Sequence, residues 1–495
     1  MDLLVDWKRK EDKDPDLDII LQTQWQPIVF SPENKDAVSL LTETLDKCLE
    51  KKPTKAVVVL KQILCPLLLG LKGIPTQSDM SQEEIHVFKS IHSFIYKMME
   101  TDPTLESHVC HVLKTTLPYH SVADTHSYTC LIWNILHLLF SFTEESQKKM
   151  SKFISQRILE VDTIATGKKT AEEDGLFVLE DDPHQRRETD ADQLADASVA
   201  TILSFIDEII ASEDETKTQE LYNILFLFDE VVASSTSCTH SQFVIFYLIN
   251  RSPPLFNKFK DHLWRILESP VSPEMQVIQK AGYLTSLLVR CPESMVSEED
   301  IVNLLQYCGN ILNSTLDRLS DSNNPVMTRY SLFFTHFQAL AHVMVSKSSA
   351  LSCDTIRVLK LLNLQRLISS PLNPLYVCSQ QLCTDFCQVT SSLQLAVCSA
   401  VIQRNGSNEM RKKMRGMDFD VKDYQIWLPF HAKPSPLTLS KVRPFFSLNN
   451  RIRLDSTSSA VIQEEEERMS GISFGPSPQD NMSFGMTALD FAASN

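Results

Sequence analysis

The sequence predicts an all-α protein, a HEAT-like helical-repeat solenoid with an acidic internal loop and a disordered C-terminal tail. Glycine is scarce, with 11 in 495 residues, whereas proteins typically contain about 7%. Doubly wound sheets, hairpins and phosphate loops all need more glycine than this. Apolar residues recur at helical spacing through most of the chain. Helix pairs begin near Asp36, Ser81 and Thr125, a period of about 45 residues that HEAT-type repeats share.

An N-terminal block of helix pairs is predicted over residues 36–162, after an N-terminal extension of residues 1–35. Ser31-Pro32-Glu33 has the pattern of a helix start, because proline is favoured at the first helical position. The helix that follows from about Thr54 contains Pro66, which is predicted to kink it. Ser81-Gln82-Glu83-Glu84 forms a capping box before the next apolar stripe.

A C-terminal block is predicted over residues 190–404, with further helix pairs in this range. The pairs are drawn over Asp190 to Ala233, Ser241 to Glu268, Pro273 to Leu319, Pro325 to Leu367 and Pro374 to Arg404. One pair cannot bury both of its apolar faces, so each pair is expected to stack on its neighbours. An irregular helical domain is the alternative.

Charge is unevenly distributed along the chain, whose net charge is −16. Asp162 to Glu230 holds 19 acidic and 5 basic residues, and Arg404 to Arg453 holds 11 basic and 4 acidic ones. Residues 163–189 are expected to form a solvated acidic loop, 405–453 a basic Pro/Ser-bearing segment, and 454–495 a disordered acidic and Ser-rich tail. Such segmentation usually serves partner selection rather than folding. The acidic total predicts little direct nucleic-acid binding.

The 12 cysteines lie mostly among aliphatic residues, with no secretory leader before them, which predicts a reduced intracellular protein. Apolar stretches such as Cys130 to Phe142 are interrupted by Asn134 and His137. They fall short of the roughly 18 apolar residues that a membrane span requires. No membrane association is therefore expected.

The tested catalytic, cofactor and metal motifs are incomplete. Thr166-Gly167-Lys168-Lys169-Thr170 lacks the earlier glycine and the preceding strand of a phosphate loop. His108, Cys110 and His111 do not form paired knuckles, and neither do Cys378, Cys383 and Cys387. Buried cysteines more often act as small hydrophobes. We therefore expect no enzyme, no cofactor and no metal.

The segment Leu364 to Cys378 contains Leu372-Asn373-Pro374-Leu375 between two apolar helices. Four further segments are distinctive: Gln242 to Leu248, Asp261 to Trp264, Gln279 to Tyr283, and Gly175 to Phe177 beside Glu180 to Asp182. In their residues and order, these segments resemble the family of RNA polymerase I-specific transcription initiation factors, growth-regulated HEAT-repeat proteins that bridge polymerase I to its promoter complex. Leu364 to Cys378 is the most specific match, and the resemblance covers about residues 36 to 430.

The resemblance implies a nuclear and nucleolar adaptor that binds the stalk and dock region of RNA polymerase I and the promoter selectivity factor. It also implies regulation by phosphorylation, and it leaves a homodimer open. The family's Phe-Pro-Phe-Asp-Pro segment is present only as Leu428-Pro429-Phe430-His431-Ala432, and the N-terminus is shorter than usual. A helical transport or scaffold adaptor of the importin type is the alternative function.

Two candidate sites follow from the residues themselves. The first is a partner-binding surface at Lys258, Lys260, His262, Trp264 and Arg265, where cationic and aromatic groups concentrate in an otherwise acidic protein. Ordinary packing of Trp264 with solvated lysines is its alternative. The second is Ser477, which precedes Pro478 in the predicted tail and is a phosphorylation candidate because no helix needs its capping there.

Overall fold

The computed structural model describes residues 17–31, 34, 36–70, 82–119, 124–173, 183–232, 238–319, 329–348, 351–406, 426, 428–430 and 434–445, except for the side chains of 166–190 and 224–237. All the described residues belong to one compact unit, Met1–Asn449, and none of them is in a β-strand.

Helices account for most of the described residues. They are α1 (Leu17–Gln22), α2 (Gln26–Val29), α3 (Ala37–Lys51), α4 (56–68), α5 (Gln82–Thr101), α6 (Leu105–Thr116), α7 (Thr125–Leu139), α8 (Glu144–Glu173), α9 (Pro183–Ala211), α10 (Glu215–Val232), α11 (Gln242–Asn250), α12 (Pro253–Leu267), α13 (Glu274–Arg290), α14 (Glu298–Arg318), α15 (Ser331–Ser346), α16 (Cys353–Leu361), α17 (Leu364–Ile368), α18 (Gln380–Ser392), α19 (Ser399–Asn405) and α20 (Pro436–Val442). The predicted all-α class is confirmed.

Helices that follow one another along the chain contact each other, as α8 contacts α9 and α14 contacts α15. Alternate helices also contact each other, as α5 contacts α3 and α7, and α9 contacts α7 and α11. Each pair thereby covers apolar surface of the next, as in a solenoid. In the C-terminal block, α15 packs against α13, α14 and α18. The aliphatic and aromatic positions predicted for the helix stripes, such as Phe88, Ile91 and Ile95, are fully buried.

Local sequence accounts for several helix starts. Ser297 caps α14 in a capping box with Asp300. Three other helices have a simpler cap, in which one side chain accepts a hydrogen bond from a main-chain N–H of the first turn: Asp124 for α7, Ser352 for α16 and Ser379 for α18. These short polar side chains satisfy main-chain N–H groups that have no partner within the helix.

Helix α4 accommodates Pro66 through a change of helical type. It consists of an α-helical turn Ala56–Val59, a π-helical segment Leu60–Leu64 and a second α-helical turn Cys65–Leu68. Proline lacks the N–H that an α-helix interior requires, and π segments commonly absorb such irregularities. The helix ends at Leu68, and Gly70 two residues later has a φ of +71°, a conformation that favours glycine.

Part of the acidic loop predicted over residues 163–189 is helical. Helix α8 continues to Glu173 and α9 begins at Pro183, so the loop prediction was wrong for residues 163–173 and 183–189. Lysine, alanine and glutamate have good helix propensity even where no apolar face exists. The segment 174–182 lies outside the described residues.

The basic segment predicted over residues 405–453 includes residues that fold back on the C-terminal block. Residues 428–430 and 434–445, here called the C-terminal strap, include α20, which contacts α9 and α11. Phe430 is fully buried. The strap was predicted as a segment apart because its sequence has little apolar periodicity. The position of the strap depends on contacts with residues that are distant in sequence.

Among the described residues, we find no helix that combines the length and the apolar character needed to cross a membrane.

Candidate functional site

Helix α12 carries all five residues of the predicted partner surface. It begins after Ser252, with prolines at its first two positions, where a missing N–H is tolerated. Its apolar face is buried and consists of Leu255, Phe256, Phe259, Leu263 and Leu267. The opposite face therefore carries the exposed charges.

Lys258, His262 and Arg265 follow one another at helical spacing and form what is here called the cationic stripe. Lys258 and Arg265 are exposed and His262 is half-buried. The Lys258 ammonium lies 4.7 Å from the ring centroid of Tyr222 on α10, a cation–π contact that orients it. The Arg265 guanidinium lies 3.3 Å from His262 Nδ1.

The histidine of the stripe is held neutral at physiological pH. Burial, followed by the nearby charges of Lys280 and Arg265, lowers the pKa of His262 to about 4. Lys280 is itself buried against the Tyr283 ring at 5.2 Å. The positive potential of the stripe therefore comes from its two exposed cations and from Lys280 beneath them.

Lys260 has a structural role. Its Nζ lies 2.6 Å from Asp300 Oδ1 on α14, and the two side chains are only 15% and 10% exposed. Burial would raise the pKa of Asp300, but hydrogen bonds from Lys260 and Ser297 hold it below its usual value. The ion pair connects α12 to the capping box of α14, so Lys260 is not available to a partner.

Trp264 also packs within the fold. Its ring meets Tyr307 edge-to-face at 5.4 Å, and the Tyr307 hydroxyl donates to the Leu267 carbonyl oxygen at 2.7 Å. Trp264 is half-buried, so part of its ring stays at the surface. Of the five predicted residues, Lys258 and Arg265 are the ones exposed for binding.

Ser477, the phosphorylation candidate, lies outside the described residues. Ser435 and Ser252, two other serines that precede proline, occupy the N-cap positions of α20 and α12.

Sequence reasoning missed two buried aspartates that organise the C-terminal block. Asp162 on α8 is fully buried and accepts hydrogen bonds from the main-chain N–H groups of Thr239, His240 and Ser241 before α11. Asp196 on α9 accepts from the N–H groups of Leu437 and Thr438, both at 2.9 Å, at the start of α20. The sequence could have indicated both residues, because each is an aspartate at a position where the helical pattern predicts a buried apolar residue.

The basic segment, residues 404–453, and the acidic segment, residues 162–230, form an ion pair within the chain. Lys441 of the strap lies 3.1 Å from Asp207 on α9, and Asp207 also accepts a hydrogen bond from the Tyr247 hydroxyl at 2.6 Å. The prediction that the charge segmentation serves partners rather than folding was wrong for these residues. Segments of opposite sign attract each other whenever the fold brings them close.

The motif from Leu364 to Cys378 forms a junction that depends on two asparagines. Asn373 has φ of +47°, and its Nδ2 donates to Asn405 Oδ1 at 2.7 Å. Asn405 Nδ2 donates back to Asn373 Oδ1 at 3.2 Å. Asparagine tolerates the left-handed conformation better than most residues. The pair fastens the 3-10 turn Pro374–Tyr376 to α19.

These observations define a helical-repeat protein whose C-terminal block is closed by its own strap. A solved structure of the RNA polymerase I transcription initiation factor Rrn3 has the same fold, with a TM-score of 0.71, 15% identity, and coverage of 90% of this chain and 88% of that one. The sequence profile of RNA polymerase I specific transcription initiation factor RRN3 matches residues 171–449. The chain belongs to this family.

Two relatives illustrate the family's divergence. The RNA polymerase I-specific transcription initiation factor RRN3 of Mus musculus is 22% identical over 511 residues, covering 92% of this chain and 75% of the relative. The factor rrn3 of Schizosaccharomyces pombe is 24% identical over 271 residues, covering 52% of this chain and 43% of the relative. The family predicted from the motif resemblance is thus confirmed.

Proposed function

We propose that this protein acts with RNA polymerase I in transcription initiation in the nucleus, as an adaptor that recruits the polymerase to the ribosomal RNA gene promoter. The observation that carries the proposal is the family match over residues 171–449, which contains the whole C-terminal block and the strap. An array of stacked helix pairs offers large surfaces to macromolecular partners. The family match favours this function over transport or scaffolding of the importin type.

The cationic stripe on α12 is the surface proposed to contact an acidic part of the polymerase, within its stalk and dock region. Lys258 and Arg265 are exposed on a rigid helix whose opposite face is buried. Cations at the edge of an interface mainly accelerate association and select the partner. Another part of the solenoid is proposed to bind the promoter selectivity factor.

Reversal of the exposed charges tests the stripe. The double variant Lys258→Glu, Arg265→Glu is expected to lower the association rate with purified RNA polymerase I about tenfold or more at low salt, with the difference shrinking as salt rises. Lys260 is left unchanged, because a carboxylate there would face Asp300 and destabilise the fold. Lys360→Glu, an exposed cation on α16, is the matched control. Equal rates for the double variant and the control would contradict the assignment.

Affinity capture separates the two classes of function. The full chain is expected to co-purify RNA polymerase I subunits and selectivity-factor subunits from nuclear extract. Recovery of transport cargo or nuclear-pore proteins in their place would support the importin-type alternative. Fluorescent tagging is expected to show nucleolar accumulation, since ribosomal RNA genes are transcribed there.

Phosphorylation of Ser477 is proposed to adjust this recruitment. A phosphate adds up to two negative charges to a segment that already contains Glu464 to Glu467. Ser477→Ala and Ser477→Asp proteins are expected to differ in polymerase recruitment across growth conditions. Identical behaviour of both variants and the wild type would remove Ser477 from the proposal. Sedimentation analysis of the free protein tests the homodimer.

A further inference from the structure

Three potential metal ligands meet inside the N-terminal block, far from the cationic stripe in sequence. Glu84 lies in the first turn of α5, and His126 and Cys130 lie one turn apart near the start of α7. His126 Nε2 is 3.0 Å from Glu84 Oε1 and 3.4 Å from Cys130 Sγ. The three ligand atoms all lie within 4.8 Å of one another.

The three side chains are almost completely shielded from solvent. Glu84 is 3% exposed, His126 7% and Cys130 0%. A carboxylate that is buried to this degree is costly unless a cation or several hydrogen bonds compensate it. A dication bound here would add to the compensation that the Glu84 carboxylate receives from its hydrogen bond with His126.

Gly70 faces the same three atoms from the end of α4. A Cβ atom at this position would lie 3.1 Å from Cys130 Sγ, 3.1 Å from His126 Nε2 and 3.2 Å from Glu84 Oε1. The near-equal distances mean that the three ligand atoms converge on one side of the residue that lacks a side chain. Gln26 holds this main-chain turn, because its Nε2 donates to the carbonyl oxygens of Pro66 at 2.6 Å and Gly70 at 3.2 Å.

The donor set has the chemistry that zinc prefers. Thiolate sulfur, imidazole nitrogen and carboxylate oxygen all bind Zn²⁺, at about 2.0 to 2.3 Å, and the thiolate disfavours Mg²⁺ and Ca²⁺. One thiolate and one carboxylate together neutralise the two positive charges of the ion, which matters because a net charge is costly to bury. Small movements of these side chains would bring all three atoms to bonding distance.

We propose that Glu84, His126 and Cys130 bind one zinc ion, which connects the start of α5 to the start of α7 beneath Gly70. Binding replaces the proton of the Cys130 thiol with the metal and releases that proton to solvent. Water completes the coordination, since the protein supplies three ligands. The ion acts as a structural clamp, because its ligands lie on two different helices, α5 and α7.

Metal binding is tested with the full chain, because the site is buried and loads during folding. The protein is unfolded in denaturant with a chelator, then refolded with Zn²⁺, with Co²⁺ or without metal. After gel filtration, wild-type protein is expected to retain one Zn²⁺ per chain and to unfold at a higher temperature than the metal-free sample. The cobalt form is expected to absorb through thiolate-to-metal charge transfer.

Variants locate the ion. Cys130→Ala is expected to lose the charge-transfer absorption and the bound metal, and Glu84→Gln to weaken zinc affinity about tenfold or more. Cys308→Ala is the matched control, because Cys308 is equally buried on α14 and should leave metal binding unchanged. Circular dichroism of each refolded variant verifies its helical content.

Two results would overturn the proposal. The first is folded wild-type protein that retains no zinc and shows no charge-transfer absorption after refolding. The second is a Cys130→Ala protein that binds metal as the Cys308→Ala control does. Either result would mean that Glu84 and His126 form a buried hydrogen-bonded pair, with Cys130 as a small apolar neighbour.

Discussion

The main-chain N–H of Phe430 donates to Gln242 Oε1 at 2.8 Å across 188 residues of sequence. Gln242 is itself buried at the start of α11. The Phe430 ring lies 4.8 Å from Phe246, 6.0 Å from Phe243 and 5.7 Å from Tyr283. The C-terminal strap is thus anchored in the apolar interior between α11 and α13.

Truncation of this anchor is expected to release the strap. Phe430→Ala should lower the free energy of unfolding by about 3 to 5 kcal/mol, because a fully buried aromatic ring is lost. Phe445→Ala, at the half-buried end of the strap, should cost less. Urea unfolding measures both changes, and limited proteolysis near the strap reports its release. Similar losses for the two variants would show that Phe430 is not the anchor.

Removal of the Asp196 carboxylate, which accepts hydrogen bonds from the start of α20, is expected to weaken the attachment of the strap at a second point. Asp196→Ala leaves the buried N–H groups of Leu437 and Thr438 and the Thr438 hydroxyl without their acceptor, at a cost of about 1 to 3 kcal/mol. Asp354→Ala, which removes an exposed carboxylate on α16, should be nearly neutral. Hydrogen exchange at Leu437 and Thr438 should accelerate only in the Asp196 variant.

Asn363 and Asn373 both have a left-handed backbone conformation, so variants at these two positions can be compared directly. Asn373→Gly keeps the favourable φ but removes the reciprocal amide bonds with Asn405, so it should cost about 1 to 2 kcal/mol. Asn363→Gly, also at positive φ but exposed, should change stability by a few tenths of a kcal/mol. Equal thermal stability of the two variants would argue against a role for the amide pair.

Stability is expected to depend on pH through His92. Burial, then the neighbouring His137, lowers the pKa of His92 to about 3, whereas the unfolded chain titrates near 6.5. The contribution of buried, neutral His92 to the free energy of unfolding is fully present above pH 6.5. It declines by up to about 1.4 kcal/mol per pH unit below that value, because only the unfolded state gains the proton.

Replacement of His92 isolates this contribution. His92→Gln can still donate a hydrogen bond to Asn134 Oδ1, which accepts from His92 Nε2 at 2.7 Å in the wild type, but it cannot titrate. Its free energy of unfolding should therefore fall less between pH 7 and pH 5 than that of the wild type, measured by urea denaturation. Parallel pH profiles for the two proteins would exclude His92 as a source of acid sensitivity.

The sequence by itself determined the helices, most of their pairing and the family. Capping residues such as Ser297 and apolar stripes such as the one through Phe88 act within a few residues, because a helix satisfies its hydrogen bonds locally. The motif around Asn373 was also visible, although its reciprocal amide pair was not. The extent of α8 and α9 was underestimated, because charged residues with good helix propensity need no apolar face.

Only the tertiary structure decided how distant residues are used. Lys260 was expected at a partner surface but pairs with Asp300, and Lys441 of the basic segment pairs with Asp207 of the acidic one. Glu84 meets His126 across 42 residues, and the sequence separation of these two residues does not indicate that contact. Such contacts depend on how helices stack. Side-chain chemistry alone does not specify which charges the stacking buries together.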